Sequence, residues 1–194
     1  MSCVVGVVSQ GIVYLGGDSA RTTDSFQIAV CSDTKVWKYA EEGIVLGCTG
    51  SPRVQQVLQY TFVPPPRKTL EYYMTVNLTR KTLEYYMTVN LIRALRDCLK
   101  GEETNDPATV AGCSFLIGVD GRLFAIHGDF QWEESVMGYN AIGNASDVAG
   151  GALFATRELL EDSPKQRVRL ALEAAQAHNA AVRAPFTCLS TRIT

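Results

Sequence analysis

The chain has 194 residues, 46% of them apolar, and its 18 Lys and Arg against 20 Asp and Glu leave a net charge of -2. That length fits one domain able to bury a sizeable core. The charge balance excludes the basic footprint of a nucleic-acid binder, and no apolar run nears the roughly 18 residues of a membrane span.

The opening run Cys3-Val4-Val5-Gly6-Val7-Val8 reads as a core strand starting two residues into the chain. No charged segment precedes it and Ser9-Gln10-Gly11 breaks it, so no secretory signal is expected and the chain reads as cytoplasmic. Residues 11–17 complete a hairpin and end in the turn signal Gly16-Gly17-Asp18. Residues 26–31 and 34–39 read as a second strand pair. Residues 43–48 form a further strand, closed by Thr49-Gly50-Ser51-Pro52.

From Arg53 the apolar period becomes helical through Val54, Val57, Leu58 and Phe62, and Pro64-Pro65-Pro66 stops it. A second helical stretch spans about 67–100, followed by a polar loop. Residues 113–119, 122–127 and 136–142 read as strands, with Asp120-Gly121 as a hairpin turn. Two amphipathic helices, 146–161 and 164–180, flank Asp162-Ser163-Pro164, and a last strand covers about 185–193. Strands and helices segregated in this way predict an α+β fold. The arrangement that uses every apolar face is a four-layer αββα sandwich, two mainly antiparallel sheets flanked by helix pairs.

The second helical stretch contains a tandem repeat. RKTLEYYMTVNL occurs at 67–78 and again at 80–91. Two copies at a period of 13 imply neither a solenoid nor a propeller. Thirteen residues turn a helix by roughly 220° net, so the copies present their apolar faces in nearly opposite directions. Only the second is in phase with Ile92, Leu95 and Leu99. The first copy therefore reads as an insertion into a single domain covering 1–194: an artefact of cloning or sequence assembly, or a recent duplication, in preference to a functional extension.

The six cysteines, Cys3, Cys31, Cys48, Cys98, Cys113 and Cys188, form no C-x-x-C pair and read as reduced, buried thiols. His127 and His178 stand at no ligand spacing from them, so neither metal nor cofactor is expected. Chemistry is sought instead at the start of the chain. Removal of Met1 would give Ser2 a free α-amine, whose reference pKa lies near 8. One residue would then hold both a nucleophile and its base. A Met1 left in place would make that amine an amide and block the scheme.

Beyond Ser2 the resemblance becomes specific. Ser2-Cys3-Val4-Val5-Gly6, Gly17-Asp18-Ser19, Lys35-Val36 and Thr49-Gly50-Ser51, followed by DGRLFAI at 120–126 and YNAIGNAS at 139–146, resemble the ordered motifs of proteasome β-type subunits. These belong to the N-terminal nucleophile hydrolases, and the chain looks like a divergent, bacterial or phage-like member. The resemblance implies Ser2 as nucleophile with its amine as general base, Lys35 lowering the effective pKa of the nucleophile, and Asp18 holding Lys35. It puts the Gly50 N–H at the oxyanion, Asn144 and Asn179 near the amine, and Arg21, Trp37 and Cys48 around the substrate side chain. It further implies a peptide or protein substrate and a homo-oligomer, as in a ring. It also allows an ATP-dependent unfoldase as partner.

Departures from the family pattern support a second reading, a catalytically silent ring-forming subunit. Ser2 stands for a threonine, Asn179 for a carboxylate and Val182 for a polar residue. A third reading makes Cys3 the nucleophile after trimming, at the cost of its spacing to Asp18. Taken singly, Asp18 is an ordinary turn residue, Lys35 a solvated strand residue, Cys48 plain core, and Asn144 a cap for the helix near Ser146. On the catalytic reading, Lys35 should point at Ser2, and Lys35→Ala should remove activity while changing stability little.

Overall fold

A computed structural model of the chain describes residues 2–22, 27–66, 83–101 and 107–192. Strands β1 (Cys3–Ser9) and β2 (Ile12–Gly17) form the expected hairpin. Its turn residues Gln10 and Gly11 both have positive φ, 49° and 72°, the geometry a two-residue hairpin needs to match strand twist. Strands β3 (Ala20–Thr22) and β4 (Ile28–Val30) make a separate two-stranded sheet. The expected pairing of 26–31 with 34–39 is therefore corrected. Ala20 lies opposite Val30, and β4 is exposed along its length, so no core face draws it toward β5 (Val36–Tyr39).

Strand β5 pairs with β6 (Ile44–Thr49), which pairs in turn with β7 (Ser114–Val119). The sheet continues through β8 (Arg122–Ile126) and β9 (Trp132–Glu134). The β7–β8 turn is the predicted Asp120-Gly121, with φ of 54° and 71°. Strand β10 (Tyr139–Gly143) returns to the first sheet beside β1, and β11 (Thr187–Ser190) closes its other edge beside β2. The sheet orders are β10-β1-β2-β11 and β5-β6-β7-β8-β9, with every pair antiparallel. The strand expected over 136–142 begins three residues late. Gly138 at φ 68° turns the chain, and Val136 stands 98% exposed.

Helix α1 (Pro52–Tyr60) starts where Ser51 accepts the Val54 N–H and Pro52 supplies a preset φ. Residues Tyr86–Leu91 are π-helical and lead into α2 (Ile92–Gly101). A short α3 (Pro107–Ala111) lies in what reads as loop. Helices α4 (Ser146–Ala155) and α5 (Pro164–His178) follow β10, and α4 stops short of the expected residue 161.

Among the described residues, three buried clusters hold these parts. One lies between the sheets, where Val4, Val13 and Leu15 meet Val45, Leu116 and Leu123. A second packs Cys3, Val5 and Val7 under Leu153, Val168 and Leu172 of α4 and α5. The third packs Leu46, Phe115 and Phe124 against Leu58, Tyr86, Leu91 and Leu95.

The first repeat copy and the start of the second, residues 67–82, lie outside the described residues. Leu83, Tyr86, Met87 and Leu91 of the second copy are all buried in the third cluster. The second copy thus contributes to an apolar stripe that continues through Leu95 and Leu99. Deleting 67–79 is accordingly expected to leave a folded protein with an unfolding midpoint no lower than that of the parent. A deletion variant that fails to fold would make the first copy part of the core.

Candidate active site

The site is built where the starts of β1 and β5 meet the ends of β2, β6 and β10. Ser2 sits just before β1 and is 5% exposed. Its carbonyl accepts the Asn144 N–H at 2.9 Å. Cys3 lies opposite Gly143 of β10 and Val4 opposite Gly17 of β2. Gly143 has φ 97°, and a Cβ there would stand 2.2 Å from the Ser2 carbonyl oxygen. The glycine is what lets β10 and its turn close over Ser2.

Strand β2 delivers Asp18 into the interior, where it is 1% exposed. Asp18 Oδ1 accepts the Cys3 N–H at 2.9 Å, and Oδ2 accepts the N–H groups of Ala20 at 2.9 Å and Arg183 at 3.4 Å. Lys35 comes from the residue just before β5. Its ammonium donates to Asp18 Oδ1 at 2.7 Å and to the Ala20 carbonyl at 2.5 Å. The approach is close: a Cβ on Gly17 would lie 3.2 Å from Lys35 Cβ. That accounts for the Gly-Asp order of the turn. The ammonium has three protons, and the third has no partner among the described residues; Lys35 and Ser2 Oγ are not hydrogen-bonded to each other.

Burial lowers the Lys35 pKa, opposed by the charge of Asp18 and their hydrogen bond. The same surroundings push the Cys3 thiol up to about 12, first through burial and then through Asp18. Cys3 is therefore a protonated core thiol at neutral pH and a poor nucleophile.

Gly50 follows β6 with φ 110°, and a Cβ there would lie 2.7 Å from the Gly112 carbonyl oxygen. Gly50 and Asn144 line one cavity of about 400 Å³ together with Thr49, Ser114, His127 and Gly143. Asn179 joins this group by donating Nδ2–H to the Asn144 carbonyl at 3.4 Å, while its Oδ1 accepts the Ala181 N–H at 2.9 Å. Asn144 does not cap α4, whose first turn has no side-chain cap. Val182 is fully buried in the cluster under α4 and α5.

Ser2, Asp18, Lys35, Asn144 and Asn179 are thus linked by hydrogen bonds or chain adjacency, and Gly50 faces the same cavity as Asn144. The three residues read as a substrate pocket do not line this cavity. Arg21 lies on β3, paired with Asp33 at 3.0 Å. Trp37 and Cys48 lie in the core with Ile44 and Leu58. The sequence reading missed Gly143, Ser114 and His127, which three different strands or their ends bring to the cavity. Only the positive-φ glycine of the Ile142-Gly143-Asn144 segment carried a local signal.

No protein-family model matches the sequence, and no curated protein matches it. Solved structures do resemble the fold. Eukaryotic HslV from Trypanosoma brucei superposes with a TM-score of 0.67 at 18% identity, covering 97% of this chain and 98% of the other. BPH of Thiobacillus denitrificans, solved in complex with epoxomicin, gives 0.67 at 15% identity over 97% of both chains. Anbu, an ancestral beta-subunit, from Yersinia bercovieri gives 0.66 at 18% identity over 98% of this chain and 81% of the other. The chain has the fold of the proteasome-like N-terminal nucleophile hydrolases.

Proposed function

We propose that the protein is an amide hydrolase whose nucleophile is Ser2, acting on peptide bonds once the chain has been cut before that residue. The observation that carries this reading is the buried Asp18–Lys35 pair, whose carboxylate also takes the N–H of Cys3, the residue after the nucleophile. Asp18 also ties down three backbone N–H groups, but a buried lysine whose pKa is lowered by burial beside a specific charge partner is the kind of group that gathers at reactive sites. In the proposed reaction Ser2 Oγ attacks the carbonyl carbon and its proton passes to the α-amine. The Gly50 N–H faces the developing oxyanion. The amine of the scissile bond leaves with the transferred proton, and water then hydrolyses the ester and restores Ser2. The same reading makes the fold a four-layer αββα sandwich and the protein a ring-forming cytoplasmic homo-oligomer, with an ATP-dependent unfoldase as candidate partner. The second reading, a silent ring subunit, draws on Asn179 in place of a carboxylate and on the apolar burial of Val182.

The test is intact mass before and after a peptide epoxyketone of the epoxomicin type. Protein beginning at Ser2 should gain one adduct per chain. Ser2→Ala should gain none, and Cys3→Ala should react as the parent does. Protein with a free Ser2 amine that takes no adduct is the silent subunit.

The pH dependence has a defined sign. The rate of labelling should rise as the α-amine loses its proton near roughly 7.7–8.0. It should fall again as Lys35 loses its charge, below the ordinary lysine value of 10.5 because burial lowers it. A rate that stays flat up to pH 10.5 would remove Lys35 from the mechanism. Burial disfavours the charged lysine, so between its folded and unfolded pKa values the unfolded chain binds more protons. Its contribution to stability therefore rises with pH across that window.

A further inference from the structure

The Gly50–Ser51 peptide is pinned from behind by a sulfur. Ser51 N–H donates to Cys113 Sγ at 3.3 Å. The same Sγ would stand 2.8 Å from a Cβ on Gly50, so the glycine rides directly on the thiol. Cys113 is 1% exposed and donates in turn to the Thr109 carbonyl at 3.2 Å. Cys48, buried on β6, donates to the Thr49 carbonyl at 3.6 Å, and the neighbouring Cys113 thiol and burial together push its pKa well above the ordinary value. The register explains the meeting. Thr49 lies opposite Ser114, so the next pair outward sets Gly50 against Cys113.

A cysteine that only fills core has no reason to accept a backbone N–H. We propose that Cys113 is a positioning residue: its sulfur anchors the Gly50–Ser51 peptide through the Ser51 N–H and packs against Gly50 itself, and so holds in place the residue whose own N–H, in the preceding peptide, the proposed reaction puts at the oxyanion. The inference rests on the reading of Ser2 as nucleophile for its catalytic consequence, but not for the placement itself. The acidity of the thiol agrees with the role. Interaction with the Cys48 thiol lowers the Cys113 pKa to about 7 against the opposing effect of burial, helped by the Ser51 N–H; as a thiol the side chain donates to Thr109 and accepts from Ser51, and loss of the proton would leave the acceptor role in place.

Two measurements on Cys113→Val and Cys113→Ser test this. Valine is close in volume and accepts nothing; serine keeps an acceptor. The first measurement is hydrogen exchange at the Ser51 amide. It should quicken about 10-fold or more in Cys113→Val and stay near the parent rate in Cys113→Ser. The second is epoxyketone labelling of Ser2. The maximal rate should fall about 10–100-fold in Cys113→Val with little change in the half-saturating concentration, and Cys113→Ser should recover most of it. Parent-like Ser51 exchange in a folded Cys113→Val overturns the proposal, whatever the labelling shows. Loosened exchange with undiminished labelling overturns its catalytic half. Loosened exchange in a protein whose parent takes no adduct supports the placement and instead refutes the hydrolase reading. Cys113→Ala replaces the valine variant if the latter does not fold.

Discussion

Lys35→Ala is expected to lower the stability of the protein by about 3 kcal/mol, besides stopping any reaction at Ser2. The ammonium side chain is 4% exposed and its partner Asp18 0%. Removing one member of such a pair leaves the other charge buried and uncompensated, a loss of about 3–5 kcal/mol in comparable cases. The lower end applies here because Asp18 keeps three backbone N–H donors, from Cys3, Ala20 and Arg183. The burial of both charges argues for a larger loss than the small change in stability expected on the catalytic reading of the sequence. Urea unfolding of Lys35→Ala and Lys35→Met separates charge from volume. If the loss comes from the stranded carboxylate, methionine restores little of it. If it comes from an empty stem cavity, methionine restores most. A Lys35→Ala midpoint equal to that of the parent would mean that the backbone donors alone hold Asp18.

The same pair shows what a sequence can and cannot disclose. Asp18, Lys35 and Gly50 stand out in the sequence because each sits in a short ordered motif: a Gly-Gly-Asp turn, a Lys-Val strand start and a Thr-Gly-Ser strand end. Turns governed by local φ preference were equally legible, as at Gln10-Gly11, Asp120-Gly121 and Ser51-Pro52. What escaped depends on contacts between distant segments. Residues 28–30 pair with 20–22 and not with 36–39, although both partners offer strand-like residues. The apolar run Val136-Met137 looks like strand but is thrown outward by Gly138. The π-helical Tyr86–Leu91 has the residues of an ordinary helix, and nothing in its composition marks the wider turn. The floor of the cavity, with Gly112, Ser114 and His127, is likewise assembled from segments that meet only once both sheets are in place. Trp37 and Cys48 are assigned to a pocket by position in the family pattern alone; both are buried beside Ile44 and Leu58, a setting that local sequence does not disclose.

Gly143→Ala is expected to have a still larger effect, because it strikes the residue on which the proposed chemistry turns. Gly143 has φ 97°, where an L side chain is strained by about 1–3 kcal/mol. Its new Cβ would meet the Ser2 carbonyl oxygen at 2.2 Å, the Ser2 carbonyl carbon at 2.9 Å and Thr49 Cγ2 at 3.1 Å. The first two are backbone atoms at the buried start of β1, so no rotamer change relieves them, and overpacking of this kind adds about 1–3 kcal/mol. The Asn144 N–H to Ser2 carbonyl bond, 2.9 Å long, is broken by any shift that opens the contact. The expected total is about 4 kcal/mol, with Ser2 displaced by roughly 1 Å, a misplacement that can cost 100-fold in rate. Gly138→Ala supplies the control. Its φ of 68° is also left-handed, but its nearest neighbour is a Val8 atom 4.0 Å away, so it carries strain without collision. Denaturation midpoints should fall far more for Gly143→Ala than for Gly138→Ala, and epoxyketone labelling should be lost only in the former. Equal losses would show that the chain beside Ser2 yields freely, and that Gly143 does not set the position of Ser2.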